Sequence, residues 1–505
     1  MSPAASSLDP NAPRFRVRPP AGWINDPNGP FLWRGRHHLF YQHNPDAPVH
    51  RHVHWGHVSS PDLVRWEHHP IALTPAPGGP DEAGCWSGCV VDDDGVPTAV
   101  YTGVDRHHTG LGTICLARAA DPDDDALAEW KPLPTPVVTG PPTGLDVVMF
   151  RDPFVFRYGG RRWALVGAGH ADGTPSVLLY DCEDLTDWRF AGVLADGRDP
   201  VAAEAFGDEA VGWECPQLYA TAGGDWVLVV SLWDGDPCST GYLTGRLRAD
   251  GRGSGAPRFE ARTGGRLDHG RDFYAPAVLQ EADRALMWGW SWEARERGEV
   301  ERAGWAGVLT APRVVDVHPD GALRVVPAPE LELLRAAEPF VTELGGAELG
   351  GAEPFVTAPD RTAPGRTAPG RTAPDRTAPG RVPLPEAYDL TVTARGLTTV
   401  GLLRSASGGQ LTVRLDPERG TVTLDRGDWP RRPGTGPRGS APIVVRAPGR
   451  EVRVLVDGSL FELFVDDRAT VTERVYRRPD DVGELVVTGA VAAVTGWELV
   501  PPTPG

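Results

Sequence analysis

The stretch "FRDPFVFRYGGRRWALVGAG", residues 150–169, joins two apolar runs through a Gly-Gly turn and opens with an acid followed by proline. Runs of this length, rich in Phe, Val and Trp and bounded by Gly and Pro, read as paired strands. The same grammar recurs in "INDPNGPFLWRGRHHLFYQ" (24–42), "WSGCVVDDDGVPTAVYTG" (86–103), "WECPQLYATAGGDWVLVVSLW" (213–233) and "DFYAPAVLQEADRALMWGW" (272–290). With Asp26, Ser87, Asp152, Glu214 and Asp272 as phase markers, the spacings are 61, 65, 62 and 58 residues. A near-constant period of that size, all strand, predicts a β-propeller with one four-stranded sheet per repeat and five blades. Side chains at one phase of each repeat then converge on the central axis, however far apart they lie in sequence.

The chain as a whole is predicted to be all-β: a five-bladed propeller over 14–337 followed by a β-sandwich over 383–505. The second prediction rests on short alternating stretches such as "YDLTVTARG", "TVTLDRG" and "EVRVLVDGSLFELFVDDR". Between them, "AEPFVT" occurs twice, at 337 and 352, and a five-residue Pro/Gly/Thr/Ala/Arg unit repeats through residue 381. That composition cannot bury a core, so 338–382 is expected to be an extended tether. Its five arginines read as solvated tether charges.

Lys and Arg number 50 against 68 Asp and Glu, a formal charge of −18. This argues against nucleic acid or an acidic membrane as partner. Oligomeric state leaves no mark in the sequence. Six cysteines (85, 89, 115, 182, 215 and 238) form no C-x-x-C pair, which excludes a zinc ribbon. The first twenty residues hold no apolar core of a secretory signal, and no long apolar run suggests a membrane span. Reduced thiols in a cytoplasm are the expectation. Seventeen tryptophans serve a core by default, but indoles are also platforms for the apolar faces of sugar rings.

Four of the five phase markers are acids, and three of these, Asp26, Asp152 and Glu214, stand within two residues of a proline inside a Trp or Phe phrase. In "WINDPNGP" (23–30) the turn-formers Asn, Asp, Pro and Gly alone would make a surface turn. Agreement of phase makes a site the better reading. Two carboxylates facing a glycosidic bond suffice to cleave it, one attacking the anomeric carbon and one protonating the leaving oxygen. The acid partner needs a raised pKa, which burial and a neighbouring negative charge supply. Glu214, between Trp213 and Cys215, has the drier setting and is expected to be the acid/base. Asp26, near Asn25 and Asn28, is expected to stay ionised as the nucleophile. Asp152, beside Arg151, is expected to be held charged by that cation and to accept bonds from sugar hydroxyls.

"WINDPNG", "FRDP" and "WECP", in this order, resemble the three signature motifs of glycoside hydrolase family 32, the β-fructofuranosidases. "HLFYQHNP", "HWGHVSSPDLVRWEHHPIAL", "CWSGCVV", "RDFYAP" and "VLVDGSLFELFVDD" resemble that family too. The resemblance spans most of residues 20 to 500 apart from the tether. It implies a propeller plus sandwich and hydrolysis with retention at the fructose C2, with no cofactor. It also implies Asp26 as nucleophile, Asp152 as transition-state stabiliser and Glu214 as acid/base. By the same resemblance Asn25, Gln42, Trp55, Ser87 and Arg151 hold the fructosyl hydroxyls, with Tyr274 and Trp290 as further contacts. His50 departs from the pattern, standing where relatives often carry a tryptophan and making that wall smaller and more polar.

Residues "HRHVHWGH" (50–57) place His50, His52 and His54 on one strand face, a spacing that metal sites also use. Without an accompanying Cys or carboxylate pair, a histidine cluster at a pocket rim is the reading, and no metal is expected. Sucrose and short fructo-oligosaccharides are the expected substrates. A phosphorylated sugar would need a rim cation, for which Arg34, Arg36, Arg51 and His107 are present. Two alternatives use the same scaffold: a fructosyltransferase, or an exo-fructosidase of levan or inulin. A non-catalytic carbohydrate-binding propeller is the rival from another class, disfavoured by three acids kept in phase.

Overall fold

The computed structural model describes residues 9–106, 110–249, 255–342, 381–427, 429 and 441–502. Contacts divide the chain into two compact units, one of which comprises Phe15–Leu331 and Thr472–Arg474. That unit is a five-bladed β-propeller. Its innermost strands are Gly22–Trp33, Gly84–Asp93, Val147–Tyr158, Gly212–Ala220 and Tyr274–Gln280. Each begins an antiparallel sheet that runs outward. The five neighbour one another in a closed ring, first to second and so on, with the fifth returning to the first. Gly22 and Trp23 of the first blade pair in parallel with Trp305 and Ala306, which ties the two ends of the ring.

The recurring acid-plus-proline phrase has a backbone cause. Every inner strand breaks register at the same phase: between Ile24 and Pro27, Trp86 and Gly88, Arg151 and Phe154, Glu214 and Gln217, and Tyr274 and Ala277. These are β-bulges, which bend a strand and re-aim a side chain. At three of them a non-glycine residue has positive φ: Asp152 (65°), Cys215 (46°) and Ala275 (46°), each just before a proline. Proline lacks an N–H and fits a strand only where the ladder is already broken. A left-handed non-glycine residue costs on the order of 1–3 kcal/mol, and such strain collects at functional sites. The fifth blade is therefore phased by Ala275–Pro276 rather than by Asp272, which lies before its strand.

Adjacent blades bury apolar side chains against each other. Leu165 and Trp163 meet Trp213 and Leu228 between the third and fourth blades, and Phe40 and Trp55 meet Tyr101 and Ala117 between the first and second. Each such side chain contributes roughly 1.5–3 kcal/mol. Gly29 (φ 43°) permits a close approach of the first two blades, since a Cβ there would lie 2.6 Å from a Val90 methyl of the second blade.

The C-terminal part is a β-sandwich. Its two long strands, Ala387–Arg404 and Val482–Glu498, pair along most of their length. Shorter strands flank them in the order Ile443–Arg446, Thr421–Asp425, Gln410–Asp416, then beyond the long strand Glu451–Asp457, Leu460–Val465 and Ala469–Arg474. Its core is aliphatic, with Leu390, Val413, Val454 and Val494 fully buried. Residues 343–380, most of the expected tether, lie outside the described residues. Val341 and Val382, which composition placed in the tether, are buried in the sandwich core.

Candidate active site

The bulges bring Asp26, Asp152 and Glu214 to one mouth of the axis. Cys215, one residue after Glu214, connects them: its thiol lies 3.6 Å from Asp26 Oδ2 and 3.5 Å from Asp152 Oδ2, and its backbone N–H donates to Asp152 Oδ2 at 3.0 Å. Asp26 Oδ2 also accepts from Ser87 Oγ at 2.6 Å and Gln42 Nε2 at 3.0 Å. Asn25 Nδ2 donates to Asp26 Oδ1 at 3.2 Å and is itself fixed by the Trp23 indole N–H, 2.9 Å from Asn25 Oδ1. The donors thus come from the first blade itself and from its neighbours. Ser87 comes from the second blade, and Thr102 in that blade donates to the Ser87 carbonyl and accepts from the Asp152 N–H at 2.7 Å.

One electrostatic expectation is corrected. Arg151 meets Glu214 rather than its sequence neighbour Asp152: both Nε and NH2 lie 2.8 Å from Glu214 Oε1. The bulge and the left-handed Asp152 turn consecutive side chains in different directions. Asp26, expected to stay ionised, has its pKa pushed up by burial to about 6, which outweighs the Ser87 hydrogen bond, with the Glu214 charge adding to the rise. Asp152 is also raised, by burial and then by Glu214, against the pull of Arg151.

The other expected contacts divide into two groups. Asn25, Gln42, Ser87 and Arg151 all touch the acids. Gln42 Oε1 is buried with no partner, an acceptor turned into a polar site. Tyr274 also reaches the site, but its hydroxyl donates to Glu214 Oε2 at 2.6 Å and lies 3.0 Å from the Leu232 carbonyl. It holds the acid rather than facing an open site. Trp55 does not come to the mouth: it is 0 % exposed, packs between the first two blades, and gives its N–H to the Trp86 carbonyl. Trp290 is buried too, edge-on to Trp23 at 5.7 Å.

The mouth has aromatic walls that sequence reasoning left unassigned. Arg151 lies over Trp233 at 4.9 Å and over Trp86 at 5.9 Å. His50 sits between Trp86 (5.8 Å) and Trp23 (6.2 Å), its pKa lowered by burial against the pull of Glu214. Trp23, Trp86 and Cys215 all lie inside the quoted motifs, and their places three residues before Asp26, beside Ser87 and beside Glu214 were the available signal. His54 Nδ1 is taken by the His52 carbonyl at 2.9 Å. Among the described residues no group of three or more His, Cys, Asp or Glu is arranged to hold a metal.

Acids gathered at one mouth of a propeller, under aromatic walls, define a class: glycoside hydrolases that work with paired carboxylates. The description "Glycosyl hydrolases family 32 N-terminal domain" matches residues 17–327, and "Glycosyl hydrolases family 32 C terminal" matches 367–498. A sucrose-6-phosphate hydrolase of Zymomonas mobilis is 30% identical, covering 96% of this chain and 90% of its own. One from Klebsiella pneumoniae is 31% identical, covering 98% and 94%. Among solved structures, a family 32 beta-fructofuranosidase of Bombyx mori shares the fold at 24% identity, with a TM-score of 0.74 over 98% of this chain and 95% of that one. The chain belongs to glycoside hydrolase family 32.

Proposed function

We propose that the chain is a retaining β-fructofuranosidase releasing terminal β-D-fructofuranosyl residues from sucrose or short fructo-oligosaccharides. Asp26 attacks the anomeric C2 while Glu214 gives its proton to the leaving oxygen. The fructosyl-Asp26 ester is then hydrolysed by a water that Glu214 deprotonates. Asp152 accepts hydrogen bonds from sugar hydroxyls as positive charge develops at C2. Arg151 and Tyr274 hold Glu214 in direction for proton transfer, while Ser87, Gln42 and Asn25 hold Asp26. No cofactor takes part. The observation that carries this reading is the reach of one Cys215 thiol to both Asp26 and Asp152, with Glu214 next in the chain.

The chemistry belongs to the propeller, taken as 14–337, and the sandwich over 383–505 has no catalytic part. A phosphorylated substrate is the less favoured choice. Arg34 is paired with Asp123 and Asp125, and Arg36 with Glu67, which leaves Arg51 among the described candidates; His107 lies outside them. A cytoplasmic setting fits six free cysteines, five of them buried.

The test is sucrose cleavage by Asp26→Ala and Glu214→Gln, with sucrose 6-phosphate, inulin and levan assayed alongside. Each variant should lose at least about a hundredfold in kcat. Near-normal cleavage by either variant defeats the mechanism, and fructose chains in place of free fructose make the enzyme a transferase.

A further inference from the structure

The propeller axis has a second mouth. Past the bulges, the same inner strands line a cavity of about 480 Å³, to which Phe31, Val91, Phe154, Gln217 and Val278 each contribute from a different blade. It starts two or three residues past the acids, at Gly29, Phe154 and Gln217, and reaches Leu32, six residues beyond Asp26 or roughly 20 Å at the usual strand rise; none of Asp26, Asp152 and Glu214 lines it.

Its chemistry is specific in three respects. Along this stretch each inner strand has a ladder on its outer side only. Its inner edge presents peptide N–H and C=O groups to the axis; Gln217 Oε1 takes the Val278 N–H at 3.0 Å and Cys89 Sγ the Val155 N–H at 3.3 Å, and the remaining groups require partners. Two charges at the wall are also uncommitted to ions. Arg157 is exposed and, among the described residues, makes no side-chain hydrogen bond or ion pair. The Asp92 carboxylate accepts only the Gly95 N–H, at 2.6 Å. The other charged wall groups are paired: Arg162 with Asp93 at 2.9 Å, and Glu281 with His37 at 2.8 Å and Arg284 at 2.6 Å. Finally, Phe154, Val91 and Val278 give the wall apolar faces.

One free cation and one free anion leave a charged ligand of either sign facing a like charge. A neutral polyhydroxylated ligand meets neither penalty. Its hydroxyls donate to strand carbonyls and Asp92 and accept from strand amides and Arg157, while its C–H faces pack on the apolar wall. The volume lies within the range of about 300–1,000 Å³ usual for small-molecule sites. We propose that this far mouth is a second carbohydrate site, taking a neutral mono- or disaccharide. The inference rests on the cavity alone and stands whatever the catalytic mouth cleaves.

The experiment is a ¹⁹F NMR titration of the full chain with a fluorinated glucose, repeated on Asp26→Ala, which alters the catalytic mouth. Two further variants accompany it, Arg157→Ala and Val91→Trp, the second filling the cavity; both should turn over sucrose normally. The expected result is a binding event whose affinity falls at least about tenfold in Arg157→Ala and Val91→Trp and is unchanged in Asp26→Ala. No binding event, or only events unchanged in both far-mouth variants, overturns the proposal and makes the cavity a water channel. Arg157→Ala changes only an exposed side chain, so it reads out even if Val91→Trp misfolds. Failure of wild-type sucrose turnover would count against the catalytic reading and leave this titration intact.

Discussion

Arg151 grips Glu214, with two of its nitrogens 2.8 Å from the same Oε1, although Asp152 is its neighbour in the chain. A fork that donates twice and lies across the Trp233 and Trp86 rings fixes the acid in direction as well as in charge. Lysine keeps the charge and loses the fork. Arg151→Lys should therefore lower kcat on sucrose by about ten- to a hundredfold. A substrate with a leaving group that needs little protonation, such as fructosyl fluoride, should suffer less. Equal losses on both would show that Arg151 acts on something other than proton delivery.

The raised pKa of Asp26 links stability to activity. A buried carboxyl with a folded pKa of about 6, against an ordinary value of 3.8, holds its proton more tightly in the folded protein. Its ionisation therefore costs stability, and the cost grows as pH rises from about 4 to 6. Asp26→Asn removes that cost and should stabilise the fold at pH 7 by about 1–3 kcal/mol. The gain should shrink as pH falls towards 4. Thermal melts of the two proteins across this range decide the matter; a variant less stable at pH 7 contradicts it.

The same group sets an acid limb. Under the proposed mechanism attack requires ionised Asp26, so kcat/KM for sucrose should fall below about pH 6, the value of the free enzyme. A profile flat down to pH 4.5 would rule out Asp26 as the titrating nucleophile.

Blade one contains a second titrating element. His38 Nδ1 lies 3.0 Å from His57 Nε2, His57 stacks on Phe40 at 4.2 Å, and His69 closes the group 4.6 Å from His57. Burial, then the positive charges of neighbours including His69 and Arg36, lowers His38 to about 4; His57 is lowered well below its ordinary value by burial and the adjoining histidines. The unfolded chain takes up these protons first, so the histidines' contribution to stability drops as pH falls from about 6.5 to 4, a slope opposite in sign to that of Asp26. His57→Phe should make that slope shallower. A slope unchanged in the variant would place the acid-sensitive group elsewhere.

Thiol reactivity should follow burial. Cys238 is partly exposed, and the other five cysteines are buried. Burial, joined by the negative charges of Asp152, Asp26 and Glu214, also drives the Cys215 thiol far up in pKa. The native enzyme should react quickly with one equivalent of a thiol reagent and with the rest only after denaturation. Rapid loss of activity on native labelling would mean that Cys215 is accessible.

The period was legible because propeller blades repeat a strand pattern at a fixed spacing. The acids were legible because bulges need proline, glycine and left-handed residues that stand out among apolar runs. Partner choice was not. Whether Arg151 reaches Asp152 or Glu214 depends on the direction a bulge turns each side chain, and Asp152 at φ 65° is a tertiary outcome that adjacency does not encode. Trp55 shows the same limit, since its phrase lies by the site while its ring fills a blade interface. The low-complexity signal of the tether overran Val341 and Val382, whose apolar side chains are core of the sandwich.

The central claim is that Asp26 forms the covalent bond and Glu214 handles the proton. Glu214→Gln given fructosyl fluoride can form the ester without an acid but lacks the base to release it. Peptide mass spectrometry of the quenched protein should then find one dehydrated hexose on the fragment carrying Asp26. The modification on any other residue, or its absence while fluoride is still turned over, would contradict the account.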